Sequence, residues 1–73
     1  MLPRLFIGGE LDGKYIPMEK NQGTYSNPTV IGDFEYYHRQ TLTTGQGSTE
    51  VVYVDSSVST SHVSSLFREK KGI

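Results

Sequence analysis

The segment between residues 34 and 55 places the strongest constraint on the fold, because it contains two runs of strand-forming residues joined by a flexible turn. Residues 34–42 alternate between two faces, one carrying Phe34, Tyr36, His38, Gln40 and Leu42 and the other Glu35, Tyr37, Arg39 and Thr41. Residues 49–55 are dense in β-branched side chains, and their alternation directs Val52 and Val54 towards the core and Val51 and Tyr53 to the opposite side. Residues 43–48 supply the turn, so the segment predicts a long β-hairpin.

A second, shorter hairpin is predicted at the start of the chain. Leu5-Phe6-Ile7 is a strand-forming run that ends at a glycine pair, and Asp12-Gly13 is a strong hairpin-turn signal. Residues 14–19 form the returning strand. Because Pro17 has no amide proton to donate to a neighbouring strand, this strand is expected to lie at an edge of the sheet.

The segment between the two hairpins is rich in turn-forming residues. Residues 20–33 contain Asn, Gly, Ser and Pro, with Tyr25 as the one aromatic residue in residues 20–28. The composition predicts an exposed loop pinned by Tyr25, with a brief strand at Val30-Ile31. Long loops in small domains are more often functional than structural filler.

A helix is predicted at the end of the chain, over residues 58–71. Its apolar stripe consists of Val58, Val63, Leu66 and Phe67, the last three of which follow helical spacing. Ser57 or Ser59 is the expected N-cap and Gly72 the expected C-cap. The cations in the last turn, which complement the helix dipole, are Arg68, Lys70 and Lys71.

These elements predict one α+β domain over residues 1–73, with a small antiparallel sheet of four to five strands, formed by two hairpins, and one C-terminal helix packed on it. Only 34% of the 73 residues are hydrophobic, so the core must be small. Seven basic and eight acidic side chains leave a net charge of −1, which argues against nucleic-acid binding. No membrane-spanning run is present, and a cytoplasmic protein is expected.

A small enzyme is only a distant alternative, and no cofactor is expected. A Ser-His-Asp arrangement is formally possible with Ser56 or Ser57, His62 and Asp55, but such triads depend on spatial geometry rather than on closeness in sequence. A chain of this length also leaves little volume for a substrate pocket. His38 and His62 are isolated and lack the spacing of paired metal ligands.

The run Tyr36-Tyr37-His38-Arg39 is the most suggestive cluster for function. If the helix covers the face of Tyr36 and His38, the other face presents Tyr37 and Arg39 to solvent, and both residue types are common at binding hot spots. The residues predicted to contact a partner are Tyr36, Tyr37, Arg39, Tyr53 and Tyr25. The alternative is plain packing, because a sheet this small cannot cover both of its faces.

The opening residues 3–14, Pro-Arg-Leu-Phe-Ile-Gly-Gly-Glu-Leu-Asp-Gly-Lys, resemble the start of small uncharacterised proteins of tailed bacteriophages. In those proteins an N-terminal Arg-Leu-x-x-Gly-Gly-x-Leu-Asp-Gly hairpin precedes a variable middle, a second hairpin and a Ser-capped helix. This chain departs from the pattern at the start of its helix, where Ser-Thr-Ser-His-Val replaces a more acidic turn. The resemblance implies a phage gene product and carries no activity or catalytic residue.

Two classes of function remain. The favoured one is a non-enzymatic phage protein that binds and modulates, most simply by inhibition, a host bacterial protein in the host cytoplasm. The alternative is an accessory virion protein, such as a decoration or connector component, held by strand addition at an exposed edge or by symmetric packing. Homodimerisation through an edge strand is also compatible with so short a chain.

Overall fold

The computed structural model of the protein describes residues 1–43 and 46–71. It contains a curled five-stranded sheet and one C-terminal helix, which confirms the predicted α+β class. The sheet has the strand order β2-β1-β5-β4-β3. The elements are β1 (Leu2–Ile7), β2 (Tyr15–Met18), β3 (Thr24–Pro28), β4 (Phe34–Thr43), β5 (Thr49–Asp55) and α1 (Thr60–Lys71).

Both predicted hairpins are present, and they join through a parallel pair of strands. β1 pairs antiparallel with β2, and β4 pairs antiparallel with β5. β1 and β5 lie side by side in parallel, with Phe6 opposite Tyr53. The sheet is therefore mixed rather than purely antiparallel. Parallel central strands are covered on both faces, which accounts for the consecutive buried residues in each of these two strands.

The turn of the first hairpin differs from the tight Asp-Gly turn that was predicted. A short 3₁₀ segment, Gly9–Leu11, precedes it. Asp12 has a φ of −53° and Gly13 a φ of +81°, and the Lys14 N–H donates to the Leu11 carbonyl at 3.0 Å. These values are those of a type II turn, which needs glycine at its third position. The Pro17 prediction is confirmed, because β2 is an edge strand.

The interpretation of residues 20–33 as one long loop is wrong. Residues 24–28 form the edge strand β3, in which Tyr25 lies opposite Tyr37 and Pro28 opposite Phe34. The predicted brief strand at Val30-Ile31 is instead the turn that joins β3 to β4. Every second side chain of β3 is exposed to solvent, so the strand is rich in polar residues and its composition resembles that of a loop.

One hydrophobic core lies between the sheet and α1. Val63 and Phe67 of the helix pack against Leu5, Ile7, Val52 and Val54, and the flanking contacts come from Leu42, Val58 and Leu66. The predicted apolar stripe and the predicted direction of Val52 and Val54 are therefore confirmed.

The helix begins two residues later than predicted and is held at both ends. The Ser59 hydroxyl accepts a hydrogen bond from the Ser61 N–H at 3.3 Å, so Ser59 is the N-cap. Near the other end, Lys70 Nζ lies 2.8 Å from Asp12 Oδ2. The predicted C-cap, Gly72, and part of the predicted turn at residues 43–48 lie outside the described residues. Within those residues no helix is long and apolar enough to cross a membrane.

A second core fills the opposite, concave face of the sheet. It contains Phe6, Met18, Tyr37 and Tyr53, with Leu11, Ile16, Tyr25 and Val51 packed around them. The Phe6 ring is stacked on Tyr53 and makes edge contacts with Tyr25 and Tyr37, with centroid separations of 5.0–5.3 Å. Aromatic pairs at these separations stabilise a core beyond their buried area. This core rather than solvent covers the second face.

Candidate protein-binding surface

Two of the predicted partner-contacting tyrosines are core residues. Tyr37 is 0% exposed and Tyr53 is 1% exposed. The prediction that their face meets solvent is wrong, because the curl of the sheet closes β2, β3 and β4 around Phe6. The Tyr53 hydroxyl also donates to the Gln22 carbonyl and so fixes the segment that leads into β3. The sequence signal for this second core was the unbroken run of apolar residues at 5–7 and 51–54. A strand that is buried on one face only alternates between apolar and polar residues, so an unbroken run indicates burial on both faces.

The other predicted contact residues have mixed positions. Tyr25 is half-buried against Phe6. Arg39 is exposed and lies opposite Tyr53 on the concave side. Tyr36 is 54% exposed on the opposite side, the one that α1 covers further along the sheet. The structure therefore leaves Tyr36 and Arg39 exposed on opposite faces of β4 and buries Tyr37.

An exposed apolar surface follows from the position of the helix. The helix packs over β1 and β5 and contacts β4 at Leu42, near the end of that strand, so the same face of β3 and of the first residues of β4 is left open. Phe34 and Tyr36 lie on this open part, and each is 54% exposed. The adjoining turn adds Val30, 91% exposed, and Ile31, 85% exposed. These four residues are called the hairpin patch below, and Val30 with Ile31 its tip.

The tip is a tightly hydrogen-bonded turn. The Gly32 N–H donates to the Thr29 carbonyl at 3.1 Å, and the Thr29 N–H donates to the Asp33 carbonyl at 2.8 Å. Gly32 has a φ of +88°, so the turn follows the three-residue hairpin pattern that ends in a left-handed residue. The Asp33 N–H donates to the Thr29 hydroxyl at 3.2 Å. The backbone that carries Val30 and Ile31 is therefore fixed from both sides.

A second segment of the chain holds the tip from outside the hairpin. The Val30 N–H donates to the Glu10 carboxylate at 3.0 Å. The Glu10 N–H in turn donates to both carboxylate oxygens of Glu35, at 3.0 and 3.1 Å. Glu10 belongs to the β1–β2 connection and Glu35 to β4, so the connection is linked to both the tip and the first residues of β4.

Glu35 is the centre of this network. Its carboxylate also accepts from the Tyr37 hydroxyl at 3.0 Å and from the Asn27 amide at 3.3 Å. The Glu10 N–H lowers the pKa of Glu35 below its ordinary value. Partial desolvation opposes this effect, and the hydrogen bonds from Tyr37 and Asn27 add to it. Glu35 therefore stays ionised at neutral pH and leaves a fixed negative charge beneath the patch.

The Tyr37 hydroxyl and the Asp12 carboxyl also have pKa values that differ from their ordinary ones. Burial raises the pKa of the Tyr37 hydroxyl, the Leu11 N–H opposes that rise, and the neighbouring Glu35 carboxylate increases it. Partial desolvation raises the pKa of Asp12, but hydrogen bonds from Lys70 and the Gly8 N–H outweigh it and leave the pKa below its ordinary value. Tyr37 is therefore neutral and Asp12 ionised at neutral pH.

Carboxylates lie beside the hairpin patch. The sequence contains no Lys or Arg between Asn21 and His38. The carboxylates of Glu10 and Asp33 lie at the tip backbone, the second through a 2.8 Å contact between its Oδ1 and the Phe34 N–H. The patch is an apolar surface with an acidic border.

Both edge strands carry a proline on their outer side. In β3, every second residue directs its backbone N–H and C=O groups towards β4, and the hydrogen bonds at Gly23–Arg39 and Thr29–Asp33 show that these are the odd-numbered residues. The backbone of Pro28 therefore faces the free edge of the sheet. The register of β2 turns the backbone of Pro17 outwards in the same way. Each proline removes one N–H that an added strand would need. This weakens the physical basis for strand addition as the mode of association.

The residues of the formal Ser-His-Asp arrangement are not assembled. Asp55 is buried, and its Oδ1 accepts from the Ser57 N–H at 3.1 Å. His62 is exposed on α1. Asp55 therefore fixes the turn between β5 and α1.

The residues that sequence reasoning missed are Val30, Ile31 and Phe34. Their signal was present as two β-branched residues before Gly32-Asp33, a place where turns usually carry polar residues. Searches against protein-family models, curated protein sequences and solved structures found no match to this chain.

Proposed function

We propose that this chain is a small phage protein that binds a host bacterial protein through the hairpin patch and thereby modulates it. The carrying observation is the tip, where Val30 and Ile31 are 91% and 85% exposed at the two positions that usually favour polar side chains. Neither side chain adds to either core. Contact with another molecule would explain two exposed apolar side chains at a rigid turn.

The rigidity of the tip supports binding in particular. Five hydrogen bonds fix the backbone of the tip, among them the bond from the Val30 N–H to the Glu10 carboxylate. A surface that is ordered before contact loses less conformational entropy when it binds. Tyr36 and Phe34 extend the patch along β4 with aromatic side chains, and large apolar residues in contiguous patches mark interaction sites.

The mode of action in this proposal is steric competition. Occupying an apolar depression on a host protein blocks whatever else uses that depression. Inhibition by steric competition needs no chemistry from the phage protein. The favoured location is the host cytoplasm, where such a target would be met.

The test is affinity capture from a bacterial lysate with three tagged proteins. The first is the wild type, and the second is a tip variant with Val30→Ser and Ile31→Asn, which removes apolar area without changing charge. The third carries Leu2→Asp, which alters an exposed apolar residue at the other end of the sheet. We expect one dominant protein to be retained by the wild type and by the Leu2 variant and to be lost with the tip variant.

The same proteins distinguish a role in the virion. Purified phage particles are probed for the chain in parallel with the lysate capture. A fixed number of copies per particle, with no host protein captured, would replace the proposed function by that of a virion component. Capture that survives in the tip variant would move the binding surface away from the hairpin patch.

A further inference from the structure

We infer that the partner surface is an apolar depression bordered by Lys or Arg side chains, an inference that rests on the proposed function. The hairpin patch supplies the apolar surface that such a depression would receive. The basic border follows from charge complementarity, because a surface of one sign favours the opposite sign on its partner and disfavours its own.

The negative charges are held in place at the tip. The Glu10 carboxylate is 3.0 Å from the Val30 N–H, and the Asp33 carboxylate is 2.8 Å from the Phe34 N–H. Glu35 lies on the concave side of β4, as Arg39 does, and its part here is to hold Glu10 by accepting its backbone N–H. These groups accept hydrogen bonds from the hairpin or from the connection that holds it, so they do not swing away when a partner approaches.

The open face beside the aromatic side chains carries no Lys or Arg from β3 or β4. The side chains of β3 on that face come from Thr24, Ser26 and Pro28, which lie opposite His38, Tyr36 and Phe34. The nearest arginine in sequence, Arg39, points to the concave side. A basic partner residue therefore meets carboxylates without competition from a cation of the hairpin.

Other occupants fit this surface less well. A second copy related by a twofold axis would place like carboxylates close to one another, at a cost in free energy. An anionic membrane or a nucleic acid would be repelled by the same groups. A protein groove with Lys or Arg on its border avoids both problems.

The experiment uses a displayed library of random peptides as the probe, selected on the immobilised wild-type protein and, separately, on the tip variant. We expect peptides that combine aromatic or aliphatic residues with Lys or Arg to be enriched on the wild type alone. A synthetic peptide from this set should bind about ten-fold more weakly when the salt concentration rises from ~50 to ~500 mM, because screening weakens exposed charge pairs. Asp33→Asn should weaken it about three-fold, and Asp33→Lys more strongly.

Several results would overturn the inference. Tip-dependent peptides that are neutral or acidic would refute the basic border and leave the proposed function intact. If no peptide is enriched on either protein, the inferred ligand class is refuted. If the same peptides are enriched equally on the wild type and on the tip variant, both the inferred ligand class and the proposed function are contradicted. Tip-dependent sedimentation with neutral phosphatidylcholine vesicles, or a tip-dependent dimer in light scattering, would assign the patch to a membrane or to a second copy.

Discussion

The phenolic hydroxyl of Tyr37 donates to the carbonyl oxygen of Gly8 at 2.9 Å, joining positions 29 residues apart in the sequence. The same hydroxyl shares its one proton with the Glu35 carboxylate, 3.0 Å away, and accepts a hydrogen bond from the Leu11 N–H at 3.3 Å. One buried tyrosine therefore fixes the β1–β2 connection against β4. Through Glu10 and Glu35 the same contacts position the tip of the hairpin patch.

Removing this hydroxyl should destabilise the domain while leaving the aromatic core filled. Tyr37→Phe would leave the Gly8 carbonyl and the Leu11 N–H without their partner. We expect the free energy of unfolding to fall by about 1–3 kcal/mol, the usual cost of orphaned groups in a partly buried site. Urea denaturation of the variant and the wild type measures this difference.

The matched control is Tyr36→Phe, since Tyr36 is on the same strand and 54% exposed. We expect its unfolding free energy to stay within about 0.5 kcal/mol of the wild type. Equal losses for the two variants would mean that the hydroxyl of Tyr37 does not fix the connection.

Gly9 should be far less tolerant of a side chain than Gly13. Gly9 has a φ of +64°, and a Cβ there would lie 2.4 Å from a Glu35 carboxylate oxygen and 2.5 Å from the Tyr37 hydroxyl. Gly13 has a φ of +81° but open space around it. Gly13→Ala should cost about 1–2 kcal/mol of backbone strain, and Gly9→Ala should cost clearly more.

Thermal unfolding of the two alanine variants, monitored by circular dichroism, compares these costs. The backbone penalty is common to both glycines, so the difference in melting temperature reports the collision with Glu35 and Tyr37. A Gly9 variant as stable as the Gly13 variant would show that the connection yields without loss.

Much of this fold could be predicted from local patterns. The two hairpins, the strand direction of Val52 and Val54, the Ser59 cap and the edge position of Pro17 all follow from alternation, turn chemistry or capping. The parallel pairing of β1 with β5 joins segments about fifty residues apart, and no local signal specifies it. The polar strand β3 was missed because its pairing with β4 compensates for weak strand propensity.

The candidate site was harder to predict, since burial of a strand face depends on what covers it. Alternation correctly separates Tyr36 from Tyr37, yet it does not say which side faces solvent. The helix is too short to cover the whole sheet, and the curl around Phe6 covers the other side. Both facts belong to tertiary structure, and together they bury Tyr37 and leave Tyr36 exposed.

Stability should fall in acid as the network around Glu35 loses its charge. The pKa of Glu35 is below its ordinary value of 4.5 in the folded protein, and that of Asp12 is below 3.8. A carboxylate with a depressed folded pKa stabilises the fold above its unfolded pKa, and the stabilisation is lost as the pH falls through the folded value. We expect the unfolding free energy to be constant above about pH 5.5 and to decline below about pH 4.5.

Urea denaturation between pH 7 and pH 3 measures this decline. Glu35→Gln removes the titrating group, so its unfolding free energy should be lower than that of the wild type at pH 7 and should decline less in acid. A variant with the same pH dependence as the wild type would assign the acid sensitivity to other carboxylates.

The tip should contribute nothing to the stability of the isolated protein. Val30 and Ile31 are almost fully exposed, and serine and asparagine suit a tight turn better than β-branched side chains do. We expect the combined Val30→Ser and Ile31→Asn variant to match the wild type in unfolding free energy within about 0.5 kcal/mol, or to exceed it. Urea denaturation of the pair tests this at neutral pH. A loss greater than about 1 kcal/mol would mean that these side chains pack against the domain. They would then not be free to contact a partner, and the proposed binding surface would be contradicted.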